Sequence, residues 1–137
     1  ALAKAIRVAK ARNQVGHISQ AIEKEVKKVG FSPVVELTGH GVGKQLHEEP
    51  QIPFFLAGDL KKTPRLKPGM VLAIEVIYTQ GAPDLVIGEN GWTFKTADGS
   101  LSALFENSLV ITKKAPLILT NLEKYFSSGL SSAYLVK

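Results

Sequence analysis

Cysteine is absent from this chain, which removes disulfides, thiolate nucleophiles and sulfur ligation of metals together. Any metal site must be built from His, Asp or Glu, ligands that suit hard or borderline divalent ions. Long apolar runs are missing too. No segment approaches the roughly 18 to 20 consecutive apolar residues of a membrane helix, and the N-terminus lacks the charged-then-apolar layout of a secretory signal. The expected location is the cytoplasm, with no membrane partner. Aromatics make up only 7% of the chain, with a single tryptophan, Trp92. An initiator methionine is also lacking: the chain opens at Ala1 inside a helical pattern, so a piece of a longer protein is expected.

What is present is a chain of 137 residues, 45% hydrophobic, enough to close one core. Its net charge of +5 is spread thinly, with clusters only at Lys27-Lys28, from Lys61 to Lys67 and at Lys113-Lys114. Charge alone therefore makes no case for a specific nucleic-acid partner.

Leu2, Ile6 and Ala9 recur at helical spacing, as do Ile18, Ala21, Ile22, Val26 and Val29. Two amphipathic helices are expected, separated at Gly16 and stopped by Gly30. From Val34-Val35-Glu36-Leu37 onward the texture is strand and loop, and the glycines through Gly43 cannot sustain a helix. Residues 50–69, with Pro50, Pro53, Pro64 and Pro68, read as a surface excursion ending in the turn Leu66-Lys67-Pro68-Gly69. Strands are expected at 70–79 and 101–112. Between them lie a hairpin with a strand at 84–87 and turns near Gly81–Asp84, Gly88–Gly91 and Asp98-Gly99. Pro116 to Thr120 is expected to pair with the 101–112 strand. Residues 121–137 read as an appended tail.

The chemistry concentrates in Thr38-Gly39-His40-Gly41-Val42-Gly43 and Leu46-His47-Glu48-Glu49-Pro50, where histidines sit among residues that let backbone and ligand approach closely. Glu75 and Glu106 each lie inside an apolar strand candidate, where an unpaired charge is expensive to bury. Taken singly, each reads equally as a strand residue facing water. With His40 they form a set that a metal ion would compensate. His47, seven residues past His40 across a loop, fits a substrate contact better than the same ion, and Glu48-Glu49 reads as loop-shaping.

Gly39-His40-Gly41-Val42-Gly43, His47-Glu48-Glu49-Pro50, Leu66-Lys67-Pro68-Gly69-Met70 with Ile74-Glu75, Gly91-Trp92-Thr93 and Asp98-Gly99-Ser100-Leu101-Ser102-Ala103 with Phe105-Glu106 together resemble the C-terminal half of a type I methionine aminopeptidase. The resemblance runs from the first helix to about Thr120. It implies an α+β chain with a pita-bread fold, two helices packed on an antiparallel sheet, and residues 1–120 as half of a catalytic domain. It further implies two divalent metal ions (Co, Mn, Fe or Zn) in the complete enzyme, with His40 and Glu75 ligating one and Glu106 bridging both. A hydroxide generated there would release methionine from peptides beginning with Met. Glu75 would shuttle the proton, His47 would contact the substrate amide or the developing oxyanion, and Leu46 and Trp92 would wall the methionine pocket.

Two aspartates and another histidine come from the other half in such enzymes, so this chain alone is expected to be inactive. Made alone, it would expose apolar surface and aggregate or dimerise. Leu46 stands where Phe is frequent, and Asn107 where His is usual. Two other readings use the same residues: a non-catalytic binding module for ribosome or RNA, and a proline-specific aminopeptidase or dipeptidase.

Overall fold

A computed structural model describes residues 1–120; the expected tail, residues 121–137, lies outside the described residues. Helix α1 (Leu2–Val8) turns Ala5 and Ile6 inward. Helix α2 (Val15–Lys28) buries Val15, Ile18, Ile22 and Val26, one face at the three- and four-residue spacing of a helix. At its start the Gln14 N–H donates to His17 Nδ1 over 3.1 Å, satisfying a group that no helical carbonyl reaches. Just past its end, Gly30 has a φ of 79°, the left-handed conformation that closes many helices. Gly16 is not the break between the helices. It lies inside α2, where an added Cβ would come within 3.1 Å of Leu56 and Leu60, so its bareness lets residues 56–63 pack on the helix.

The strands are β1 (Ser32–Pro33), β2 (Thr38–Val42), β3 (Glu48–Pro53), β4 (Val71–Thr79), β5 (Leu85–Ile87), β6 (Phe94–Thr96), β7 (Ser102–Val110) and β8 (Leu117–Ile118). Six of them form one antiparallel sheet in the order β3-β2-β4-β7-β8, with β1 also paired to β4. β5 and β6 make the expected hairpin, and β8 pairs with β7 as expected. The β-branched stretch Val34–Leu37 lies between β1 and β2 rather than in either strand. The Glu36 side chain instead accepts the Leu85 N–H, tying this bend to β5.

The expectation of a surface excursion over residues 50–69 is corrected more deeply. Its first part is strand β3, and Ile52, Phe54 and Leu66 are buried in the core. Pro50 and Pro53 are tolerated because β3 is the edge strand of the sheet, where a missing N–H breaks fewer ladder bonds.

Alternation along β4 divides the sheet into two faces. Leu72, Ile74 and Val76 join Ile6, Ile18, Ile22, Val26 and Leu109 in one buried cluster with the helices. Ala73 and Glu75 project from the other face, and His40 lies opposite Ala73 in the β2–β4 pair.

Candidate metal and substrate site

β2 carries His40 between two glycines for a steric reason. A Cβ on Gly39 would sit 2.6 Å from the Ala73 carbonyl oxygen, and one on Gly41 would collide with the Glu49 carbonyl. Only bare backbone lets β2 thread between β4 and β3 at this point. The β2–β3 register also shifts between Gly39 and Gly41, so β3 bulges outward opposite His40.

His40 is thereby held with its ring against Glu75. His40 Nε2 and Glu75 Oε1 are 3.6 Å apart, with only 11% and 14% of the two side chains exposed. His40 Nδ1 lies 2.8 Å from the Gly41 carbonyl oxygen. A carbonyl can only accept, so in the neutral ring that contact places the proton on Nδ1 and leaves the Nε2 lone pair directed toward Glu75. Two acceptor groups then face each other at a distance too long for a hydrogen bond. The arrangement fits a cation between them, with the imidazole oriented from behind by backbone as metal-ligating histidines are.

Glu106 stands directly opposite Glu75 across the β4–β7 pair, so the two carboxylates leave the same face of the sheet. Burial pushes the Glu75 carboxyl above its ordinary range. Repulsion from Glu106 raises it further, and a protonated His40 partly opposes both. Among the described residues, no three His, Asp or Glu side chains gather closely enough to hold an ion unaided. The chain brings together a partial donor set, with His40 and Glu75 adjacent and Glu106 in register beside them.

The His47 ring meets His40 edge-on, with centroids 4.3 Å apart, so the seven-residue separation in sequence closes to contact in space. Both line a cleft of about 410 Å³ with Thr38, Glu48, Glu49 and Gln51. Thr38, Gln51 and the two glutamates were not among the sequence-derived site residues. The signal for Gln51 was its alternation with the buried Ile52 and Phe54, masked by the prolines, while Thr38, Glu48 and Glu49 lie within the motifs around His40 and His47. Glu48 also braces the loop, accepting the Gln45 N–H over 2.9 Å.

Leu46 and Trp92 stand in the open in this half of the domain. They are 70% and 85% exposed, and neither lines the His40–His47 cleft. Trp92 caps the β5–β6 hairpin, its backbone N–H donating to the Asn90 side chain over 3.1 Å.

The sequence profile of metallopeptidase family M24 matches residues 1–113. The chain belongs to that family. Among M24 proteins it is 46% identical over 122 residues to the methionine aminopeptidase of Aquifex aeolicus, covering 89% of this chain and 47% of that one. It is 44% identical over 119 residues to methionine aminopeptidase 1 of Bacillus subtilis, covering 87% and 47%. The crystal structure of the Thermotoga maritima methionine aminopeptidase superposes with a TM-score of 0.83 at 42% identity, over 88% of this chain and 47% of that one. The prolidase of Pyrococcus furiosus shares the fold, with a TM-score of 0.63 at 22% identity. This M24 chain thus has the pita-bread architecture of two helices on an antiparallel sheet, and it spans about half the length of the relatives it matches.

Proposed function

We propose that the complete protein to which these residues belong removes N-terminal methionine from new polypeptides in the cytoplasm, and that residues 1–120 are the half of its catalytic domain carrying His40, Glu75 and Glu106. The observation that carries this reading is the paired placement of His40 and Glu75 in a chain 46% identical to a methionine aminopeptidase. In this reading His40 and Glu75 would hold one divalent ion and Glu106 would be shared with a second, the remaining ligands coming from the other half. Mn, Fe, Co and Zn all accept imidazole and carboxylate. Such ions, when bound, make water acidic near neutral pH and polarise a carbonyl.

The chain's own residues supply the rest. Glu75, whose carboxyl is held above its usual range by burial and by Glu106, is suited to take a proton and return it to the leaving amine. His47, exposed in the cleft beside His40, reaches toward a bound peptide to donate to its amide or developing oxyanion. Leu46 and Trp92 gain a role as pocket wall only when the other half packs over them. The partners in this reading are peptides beginning with Met, presented at the ribosome.

The test is Glu106→Gln in the complete protein, assayed for metal-dependent release of Met from a Met-Ala peptide. Turnover should be abolished, and unchanged turnover refutes the bridging role.

A further inference from the structure

A second cleft, of about 670 Å³, shares no residue with the His40 site and is lined by Ala11, Arg12, Arg65, Leu66, Lys67, Pro68 and Lys113. Four of these are cations, none is acidic, and none of the four is in an ion pair among the described residues. They come from three stretches far apart in sequence that the backbone stitches together. Arg12 N–H donates to the Leu66 carbonyl over 3.2 Å, and Leu66 N–H donates to the Asn13 carbonyl over 2.8 Å. Gln14 and Arg65 form an antiparallel bridge. Gly69 N–H donates to the Ile111 carbonyl and Ile111 N–H to the Met70 carbonyl, each over 2.8 Å, which brings Lys113 alongside. Arg12 is held at a φ of 77°, the one non-glycine residue in the left-handed region among the described residues. That conformation persists only where surrounding contacts enforce it.

We propose that this cleft binds the backbone phosphates of a nucleic acid. Four like charges on a fixed frame repel one another unless a polyanion meets them, and arginine guanidiniums pair with phosphate oxygens in bidentate fashion. The one large apolar residue of the lining, Leu66, is only 2% exposed, so charge rather than apolar contact is what the cleft presents to a partner. No aromatic or amide side chain lines it either, so phosphates are gripped and bases go unread. Binding is therefore sequence-independent, in keeping with the absence of any specific nucleic-acid signal. The inference stands apart from the peptidase reading, because its residues and its measurement are separate.

The test is fluorescence anisotropy of the complete protein with a labelled RNA stem-loop and with DNA of the same sequence, from 50 to 200 mM KCl. Four phosphate contacts predict a log–log salt slope of about −3 on single strands and about −4 on a duplex. Arg65→Glu with Lys67→Glu should weaken binding at least 20-fold and reduce the slope by about 2, whereas Lys24→Glu with Lys28→Glu, an equal charge change elsewhere, should cost less than 3-fold. Arg65 also bridges Gln14, so the exposed single change Lys113→Glu, expected to cost about 5-fold, is read beside it. The RNA and DNA arms identify which nucleic acid supplies the phosphates. Equal losses in both double variants, no binding to either nucleic acid, or tighter binding of an oligo-glutamate peptide or anionic vesicles overturns the proposal.

Discussion

Glu75 lies directly opposite Glu106 across the β4–β7 pair, two like charges at a position where cross-strand neighbours ordinarily attract or are neutral. The sheet tolerates this because Glu106 is exposed while Glu75 keeps His40 at 3.6 Å. The pairing of two like charges costs stability.

That cost has a pH signature. A carboxyl raised above its ordinary value of 4.5 favours the fold while protonated; its contribution is whole below that value and is lost as pH rises through the raised one. Glu75→Gln keeps the shape and deletes the charge. In EDTA the variant should melt at a higher temperature than the parent at pH 7, with the difference closing by pH 4. A variant that melts lower at pH 7 contradicts the argument.

Gly39→Ala should damage the fold where it positions His40. The new methyl would stand 2.6 Å from the Ala73 carbonyl oxygen and 3.2 Å from the Glu75 nitrogen, both backbone atoms that cannot swing away. A loss of about 2–3 kcal/mol is expected, read as a lowered urea midpoint. Wild-type stability would mean that β2 and β4 are less tightly apposed than described.

Phe54 is fully buried in a segment whose sequence looks like surface. Phe54→Ala should cost about 3–5 kcal/mol in chemical denaturation. A cost under about 1 kcal/mol would restore the surface reading of residues 50–69.

Asn107 donates to both the carbonyl (2.7 Å) and the hydroxyl (3.0 Å) of Thr120, fastening the chain just after β8. Asn107→Ala should cost about 1 kcal/mol and speed amide exchange at Leu119, whose N–H donates to Ser108. Unaltered exchange there would detach Asn107 from any part in holding this edge.

Leu101, Leu104, Phe105 and Leu117 are each more than half exposed on or beside the β7–β8 edge of the sheet. The 137-residue chain alone should self-associate with rising concentration in analytical ultracentrifugation. A cooperatively melting monomer across the micromolar range would contradict this.

Much of this architecture was legible in the sequence, because it is written between near neighbours. The helical spacing of Ile18, Ile22 and Val26, the stop at Gly30, the strand pattern through Leu72, Ile74 and Val76, and the turns at Gly91 and Gly99 depend on local periods and on φ values that glycine adopts freely. The absence of cysteine likewise limited the ligands to His, Asp and Glu, and the ordered motifs around His40, Glu75 and Glu106 carried the family resemblance. Tertiary structure alone decided which groups meet. Antiparallel register set Glu75 against Glu106 and His40 beside Glu75, loop closure brought His47 onto His40, and an edge position admitted the prolines of β3. It also left Leu46 and Trp92 in the open and gathered Arg12, Arg65, Lys67 and Lys113 around one cleft. Apart from His40 and His47, these are contacts between residues tens of positions apart, fixed by strand pairing and core burial, which no local window of sequence contains.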